Sequence, residues 1–176
     1  MLIALVIILL IIAAVLVIAA TRPDRFTVER TATIQAAPER IFPIINDLHR
    51  WPSWSPYEKK DPNMQRSYEG PDAGVGATYG WNGNKNVGSG RMEISQSTPS
   101  SRIEMKLDFF APFKASHTAE FRLDSRGAAT QVTWALHGES NFTSKLMGLV
   151  INMDKMIGKD FEEGLGNLRT LVEARA

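Results

Sequence analysis

Few side chains in this sequence have the type and position that proton-transfer chemistry requires. His117 interrupts the apolar side of one predicted strand, and Tyr79 lies on the apolar side of another. Because an imidazole titrates near neutral pH, His117 is the residue best suited to acid–base catalysis or to a hydrogen bond with a ligand. The alternative for His117 is an ordinary core histidine. We assign no catalytic residue from the sequence alone.

The common motifs of metal and nucleophilic catalysis are missing from the sequence. It contains no cysteine, which excludes thiol catalysis, thiolate zinc sites and disulfides. His49, His117 and His137 lie on different predicted elements, and no two of them have the spacing of metal ligands. There is no Gly-x-Ser-x-Gly elbow for a nucleophilic serine. We predict neither a metal site nor a cofactor.

The charge balance argues against nucleic acid as a partner. The formal net charge is +1, and the sequence has no basic stripe or nucleic-acid recognition motif. The partners that the sequence does predict are a hydrophobic small molecule and a lipid bilayer. The oligomeric state stays open.

Residues 1–20 contain no charged side chain and consist almost entirely of Leu, Ile, Val and Ala. A helix of that length spans roughly 30 Å, the thickness of the hydrocarbon core of a bilayer. A cleaved signal peptide is the alternative, but such peptides have a basic segment before a shorter apolar stretch. We predict a transmembrane anchor at residues 1–20 and a short linker at residues 21–25.

Three arginines after the apolar stretch indicate the orientation of the anchor. Arg22, Arg25 and Arg30 follow it closely, whereas only the α-amino group precedes it. Basic residues that flank a membrane span are enriched on the cytoplasmic side. The soluble domain, residues 26–176, is therefore predicted to lie on the cytoplasmic side of the membrane.

Alternating apolar and polar residues predict an antiparallel sheet that precedes one long helix. The alternation begins at residues 26–35, and Pro38 then opens a short helix. Apolar residues at three- and four-residue steps predict an amphipathic helix over residues 142–174. Alternation and turn residues predict the other strands at 75–82, 86–96, 101–110, 113–124 and 129–139. The fold class is α+β, with the final helix laid across a curved antiparallel sheet.

The parity of each strand places its apolar residues on the face that meets the final helix. Such a face is an ordinary core unless the sheet curves too strongly to be filled, in which case it lines an apolar pocket. Methionines are compatible with both a filled core and a pocket, because their flexible side chains adapt to irregular space. The candidate cavity residues are Tyr79, Trp81, Met92, Met105, Leu107, Phe109, His117, Phe121, Trp134, Met153 and Ile157.

The segment after the short helix supplies candidates for the mouth of such a cavity. Asp47 either caps a turn or faces the opening. Trp51 and Trp54 belong to a stretch whose prolines predict irregular structure. Because tryptophan favours the membrane interface, these two side chains are predicted to form an interfacial lid, with packing against the sheet as the alternative.

Several short strings occur in a characteristic order within residues 26–172. They are Ala36–Phe42, Ile45–Asp47, Trp51–Pro56, Gly74–Ala77, Gly88–Met92, Val132–Trp134 and Phe161–Leu165. In this combination the sequence resembles the SRPBCC or START-like superfamily, in its polyketide cyclase/dehydrase and lipid-transport branch. The resemblance implies a helix-grip fold, in which an antiparallel sheet wraps the C-terminal helix around a hydrophobic cavity. It implies no fixed catalytic set, because function belongs to the site rather than to the fold.

Three functions are compatible with these features. The anchor, the expected cavity and the missing catalytic motifs favour membrane-tethered binding of a lipid-, isoprenoid- or polyketide-like molecule. The first alternative is a cyclase or dehydratase in which His117 moves protons. The second alternative is a membrane-tethered interaction module whose core is filled by its own side chains.

Overall fold

The computed structural model describes residues 2–174 of the chain. The helices are α1 (Leu2–Ala20), α2 (Pro38–Asn46), α3 (Pro56–Lys60), α4 (Phe142–Met147) and α5 (Met153–Glu173), with a 3-10 helix at Leu48–Ser53. The strands are β1 (Arg25–Ile34), β2 (Gln65–Glu69), β3 (Thr78–Asn82), β4 (Ser89–Thr98), β5 (Arg102–Ala111), β6 (Ala115–Arg126) and β7 (Ala129–Glu139). Residues 1, 175 and 176, which belong to the predicted anchor and domain, lie outside the described residues.

The strands form one open antiparallel sheet in the order β1-β7-β6-β5-β4-β3-β2. From β2 to β7 each strand pairs with the next one in the chain, and β1 pairs with β7, so that Val28 lies opposite Leu136. The predicted α+β architecture, with a final helix against a curved antiparallel sheet, is confirmed. Strand β2 escapes prediction because it is a short, largely exposed edge strand without apolar alternation.

The antiparallel order gives the sheet two ends, which we call proximal and distal. The proximal end carries the start of β1, which follows α1 after four residues, and the turns at residues 83–88 and 112–114. The distal end carries the turns at residues 99–101 and 127–128. Since β7 ends at the proximal side, α4 lies there as well.

Helix α5 follows β1 from the proximal to the distal end. Arg30 donates from Nε to Oε1 of Glu162 at 2.8 Å and from Nη2 to Oδ2 of Asp154 at 3.0 Å. Further along, the backbone N–H of Gln35 donates to Oε1 of Glu173 at 2.8 Å. An arginine is tolerated among inward-facing residues of β1 because its guanidinium ends on α5 and not in the core.

The single helix predicted over residues 142–174 is in fact two helices. Helix α4 ends at Met147, and α5 starts only at Met153. The side chain of Asn152 caps α5 by accepting the backbone N–H of Lys155 at 2.9 Å. An asparagine cap and the poor helix-former Gly148 favour a break that apolar periodicity alone does not reveal.

Residues 48–60 are more regular than their prolines predict. Pro52 lies inside the 3-10 helix, and Pro56 begins α3, where the missing N–H of proline costs no hydrogen bond. The backbone N–H of Trp54 donates to the carbonyl of Trp51 at 3.0 Å and ends the 3-10 helix. This compact segment carries both tryptophans into the interior.

Candidate functional site

The centre of the domain is filled by five aromatic side chains in mutual contact, which we call the aromatic core: Trp51, Trp54, Phe121, Trp134 and Phe161. The rings of Trp134 and Phe161 are nearly parallel, with centroids 4.1 Å apart, and those of Trp51 and Trp54 are 4.8 Å apart. Trp51 and Trp54 are only 5% and 1% exposed. The interfacial lid predicted for them is therefore corrected to the alternative of packing, since burial of two indoles stabilises the core strongly.

The predicted cavity residues separate into two sets by depth. Tyr79, Met92, Met105, Phe121 and Trp134 are buried in the continuous core. Half-buried positions are held by Trp81, Leu107, Phe109, His117 and Ile157, and Met153 is exposed. The first set is thus packed in the core, whereas the side chains of the second set are partly accessible to solvent.

Four half-buried rings form a line across the proximal end of the inner sheet face, which we call the aromatic row: Phe26, His117, Phe109 and Trp81. The ring centroids of Phe26 and His117 are 5.2 Å apart, those of His117 and Phe109 are 5.8 Å apart, and those of Phe109 and Trp81 are 5.6 Å apart. The row spans β1, β6, β5 and β3. It brings together three of the predicted residues, and it adds Phe26.

Two glycines on the intervening strands allow these rings to lie close to the sheet. A Cβ atom on Gly138 of β7 would come within 2.4 Å of Nδ1 of His117 and within 2.5 Å of the ring of Phe26. A Cβ atom on Gly90 of β4 would come within 2.4 Å of the ring of Trp81. Glycine at inward-facing strand positions, next to aromatic residues on neighbouring strands, is the sequence signal that locates the row.

The row is half-exposed because α5 lies elsewhere on the sheet. Helix α5 packs mainly along β1, with a smaller contact to α3 and to β7. The main contacts of this helix therefore do not include β3, β5 and β6, which carry three of the four rings.

His117 is the polar member of the row. Its Nδ1 is buried and has no hydrogen-bond partner. Burial lowers the pKa of His117, so the ring is neutral at neutral pH. Nδ1 lies against Gly138 of the sheet, so a hydrogen bond or proton transfer between this imidazole and a ligand would involve the other ring nitrogen, Nε2.

The hydroxyl of Tyr79, the second predicted polar contact, forms its hydrogen bond outside the aromatic row. It donates to Oε1 of Glu58 at 2.8 Å, and Oε2 of the same carboxylate accepts from Nε of Arg66 at 2.8 Å. Burial, followed by the hydrogen bond to Glu58, raises the pKa of Tyr79, which keeps the phenol protonated. Sequence reasoning does not find Glu58 and Arg66, because neither belongs to an apolar pattern.

Asp47 serves as a cap. Its Oδ1 accepts the backbone N–H of His49 at 2.9 Å at the start of the 3-10 helix. The ring of His49 stacks on Tyr68 with centroids 4.2 Å apart. Of the two roles considered for Asp47, capping is therefore the one observed. Within residues 2–174, no group of three or more acidic, histidine or cysteine side chains is arranged to hold a metal ion.

Helix α1 carries exposed apolar side chains along its length. Residues Ile3–Ala20 form one helix that is long and apolar enough to cross a membrane, and Ala19 is its buried member. Membrane anchors and signal sequences share this length and composition.

Comparisons with known proteins agree with this architecture. Residues 25–173 match the family described as polyketide cyclase / dehydrase and lipid transport. The solved structure of protein CV1439 from Chromobacterium violaceum has a TM-score of 0.60 and 16% identity, and the match covers 86% of this chain and 99% of that one. A protein of unknown function, SA2116 from Staphylococcus aureus, has a TM-score of 0.63 and 11% identity, covering 86% and 95%.

A third structure, that of Ara h 8.0201, has a TM-score of 0.60 and 11% identity, and the match covers 85% of this chain and 99% of that one. Identities this low show a shared fold and nothing about a ligand. No curated protein matches the sequence. Because the family match extends from the start of β1 to the end of α5, this chain belongs to the polyketide cyclase/dehydrase and lipid-transport family of the SRPBCC superfamily.

Proposed function

We propose that this protein binds a lipid-, isoprenoid- or polyketide-like molecule over the aromatic row, in a domain that α1 tethers to a membrane. The observation that carries the proposal is the row itself. Its four half-exposed rings lie on the inner face of the sheet, at the end where α1 joins the domain. Membership of a family described by cyclases, dehydrases and lipid transport supports the same class of ligand.

The row offers a ligand an extended apolar surface with one polar group. Its ring centroids are 5.2 to 5.8 Å apart, so a planar or chain-like molecule can contact several rings at once. Because burial lowers the pKa of His117, the imidazole can hydrogen-bond a hydroxyl or carbonyl group without adding charge to the site. This combination favours an uncharged apolar molecule with a single polar function.

The contacts around α1 support a tether that holds the row next to the bilayer. Nη1 of Arg22 donates to the carbonyl of Gly148 at 2.9 Å, and Nζ of Lys145 donates to Oδ1 of Asp24 at 2.5 Å. The residues that follow α1 are therefore fixed to α4 at the proximal end. The basic residues Arg22 and Arg25 support a cytoplasmic location for the domain.

The test is to identify the molecules that co-purify with the full-length protein. The protein is transferred from detergent into a polymer that replaces the membrane, washed free of bulk lipid and extracted with organic solvent for mass spectrometry. We expect a stoichiometric apolar molecule with one polar group. Its structure would name the ligand class directly.

Two aspartate substitutions test whether the aromatic row is the site. Phe109→Asp introduces a charge into the row, whereas Phe110→Asp introduces the same charge at a neighbouring position that is 55% exposed. We expect the first variant to lose the co-purified molecule and the second to keep it. Equal occupancy in the two variants would contradict the site. An empty wild-type protein would contradict ligand binding and favour an interaction module with a filled core.

A cyclase or dehydratase is the second candidate, and the environment of His117 favours it. A neutral imidazole beside an apolar surface is able to take a proton from a polycarbonyl substrate. His117→Gln retains a hydrogen-bonding side chain but cannot transfer protons near neutral pH. If turnover of a polycarbonyl substrate falls while its binding is kept, His117 is an acid–base residue. Unchanged turnover removes that role.

A further inference from the structure

We propose that the proximal end of the domain binds the bilayer surface directly, through an apolar rim formed by Phe113, Phe142, Met147, Val150 and Ile151. The rim is distinct from α1 and from the aromatic row. The inference rests on the proposed function in one respect, which is that α1 spans a bilayer. Its occupant is the surface of that same bilayer.

The distribution of exposed apolar side chains supports the rim. Val150 is 89% exposed and Phe113 is 69% exposed. Single exposed apolar residues are normal on soluble domains, but a concentration of them at one place marks an interaction surface. Among the described residues after α1, Val75 is the only exposed large apolar side chain that lies away from the proximal end.

The topology brings the members of the rim to one end of the molecule. Phe113 lies in the turn between β5 and β6, which is proximal. The other members belong to α4 and to the segment of residues 148–152 between α4 and α5, which follows the proximal end of β7. Val150 lies in the middle of that segment, outside both α4 and α5.

The position of α1 identifies the bilayer as the surface that meets this rim. Between Ile3 and Ala20, only Ala19 is buried, so α1 is exposed along most of its length while it contacts the domain at α4. Just after α1 ends, Arg22 donates to the carbonyl of Gly148, in the segment that carries Val150 and Ile151. The four residues that join α1 to β1 span at most about 14 Å. A membrane crossed by α1 therefore has its headgroups beside the rim.

The charges around the rim suit such an interface. Lys114 directly follows Phe113, and Lys155 lies in the first turn of α5. Interfacial segments place aromatic and aliphatic side chains at the acyl boundary and lysine ammonium groups among the phosphates. The nearby carboxylate of Asp154 is paired with Arg30, which reduces its repulsion from anionic headgroups.

The absence of cysteine from the sequence permits a clean test with single labels. Full-length Phe113→Cys and Val150→Cys are labelled with an environment-sensitive fluorophore and reconstituted into vesicles of phosphatidylcholine and phosphatidylglycerol. Ser125→Cys, in an exposed position at the distal end, is the matched control. With nitroxide-labelled lipid, we expect quenching at positions 113 and 150 to exceed that at position 125 by roughly twofold or more, because a rim of this kind lies about 5–10 Å deep in the interface.

Quenching at positions 113 and 150 that does not exceed the value at position 125 would overturn the rim. Shielding of both labels without lipid quenching would also overturn it, and would indicate a second copy of the chain as the occupant. As a second measurement, Val150→Asp in the protein labelled at position 113 should lower its quenching. Val75→Asp, at the distal end, should leave the quenching unchanged.

The outcomes also separate the rim from the proposed ligand. Lipid quenching of both rim labels in a protein from which no apolar molecule is extracted would keep the rim and reject ligand binding. An extracted ligand without lipid quenching would keep ligand binding and reject the rim. If the protein does not float with the vesicles in a density gradient, α1 does not tether it to the bilayer, and the rim is contradicted as well.

Discussion

Gly164 lets α5 approach Trp134 closely enough for the rings of Trp134 and Phe161 to stack. A Cβ atom at Gly164 would lie 2.7 Å from Cζ3 of Trp134 and 3.0 Å from Cδ of Pro56. Both neighbours are rigid and belong to the interior. At Gly166, two residues further along the same helix, an added Cβ atom would meet no packed neighbour within 4 Å. The two glycines therefore have different physical roles in one helix.

We predict opposite signs for two alanine substitutions in α5. Gly164→Ala should lower the free energy of unfolding by about 1–3 kcal/mol, because the added methyl group forces Trp134 or Pro56 to move. Gly166→Ala should raise it by up to about 1 kcal/mol through helix propensity alone. Thermal unfolding followed by circular dichroism measures both. A stabilising Gly164→Ala would contradict the close packing of α5 on Trp134.

The burial of His117 predicts a pH dependence of stability. Burial lowers its folded-state pKa below the ordinary value of 6.5, so the unfolded chain binds a proton more readily than the folded protein. Stability should therefore decrease as the pH falls through 6.5 and level off below the folded-state pKa. In His117→Gln, the melting temperature should lose this part of its dependence on pH. Identical pH profiles for the two proteins would show that the ring is not buried as described.

At the scale of elements, α5 is held by different interactions along its length. Its C-terminal turns contribute Leu165, Leu168 and Val172 to the core, whereas Asp154 and Glu162 nearer the N-terminus are bound to Arg30 of β1. Arg30 also covers Gly158, whose Cβ position would be only 2.0 Å from Nη2. The N-terminal turns of α5 are thus held to a large extent by ion pairs, with Arg30 and, at Asp160, with Lys60, and the C-terminal turns by apolar burial.

Replacing Arg30 should loosen α5 unevenly. In Arg30→Gln, we expect the backbone amides of residues 154–162 to exchange hydrogen faster, while those of residues 165–172 exchange as in the wild type. Hydrogen exchange with mass spectrometry resolves the two segments. Arg126→Gln, which removes an exposed arginine at the distal end, is the control. Uniform acceleration along α5 would mean that the helix opens as one unit.

At the scale of the whole molecule, the inner aromatic residues are divided between a buried core and a half-exposed row. The aromatic core occupies the centre, where Trp51 of the 3-10 helix and Trp54 directly after it contact Trp134, which stacks on Phe161. The aromatic row remains half-exposed at the proximal end. This division predicts that apolar molecules reach the row and not the centre.

Truncating one tryptophan of each part should separate their roles. Trp54→Ala removes a side chain that is 1% exposed and should lower the free energy of unfolding by about 3–5 kcal/mol. Trp81→Ala removes a half-buried ring and should cost clearly less, but it should weaken binding of the co-purified molecule. Chemical unfolding and ligand retention measure the two effects. A small loss for Trp54→Ala would place Trp54 at the surface.

Much of the fold is predictable from single residues and their periodicity. The alternation of Ile103, Met105 and Leu107 correctly gives the inner face of β5, and Pro38 correctly opens α2. The candidate site is less predictable, because parity gives the face of a residue but not its depth. Tyr79 and Trp81 share one face of β3, yet the first is buried against Glu58 and the second lines the row.

Local sequence patterns are sufficient to predict the apolar N-terminal helix and, for the strands other than β2, their antiparallel arrangement and inner faces. These features follow from local periods, which the backbone geometry of a helix or a strand imposes on its own residues. The burial of Trp51 and Trp54 in the centre, the contact of Arg30 with α5 and the half-buried position of His117 emerge instead from tertiary packing. Those outcomes depend on which distant segments meet and how much volume their side chains occupy, and no local pattern contains that information.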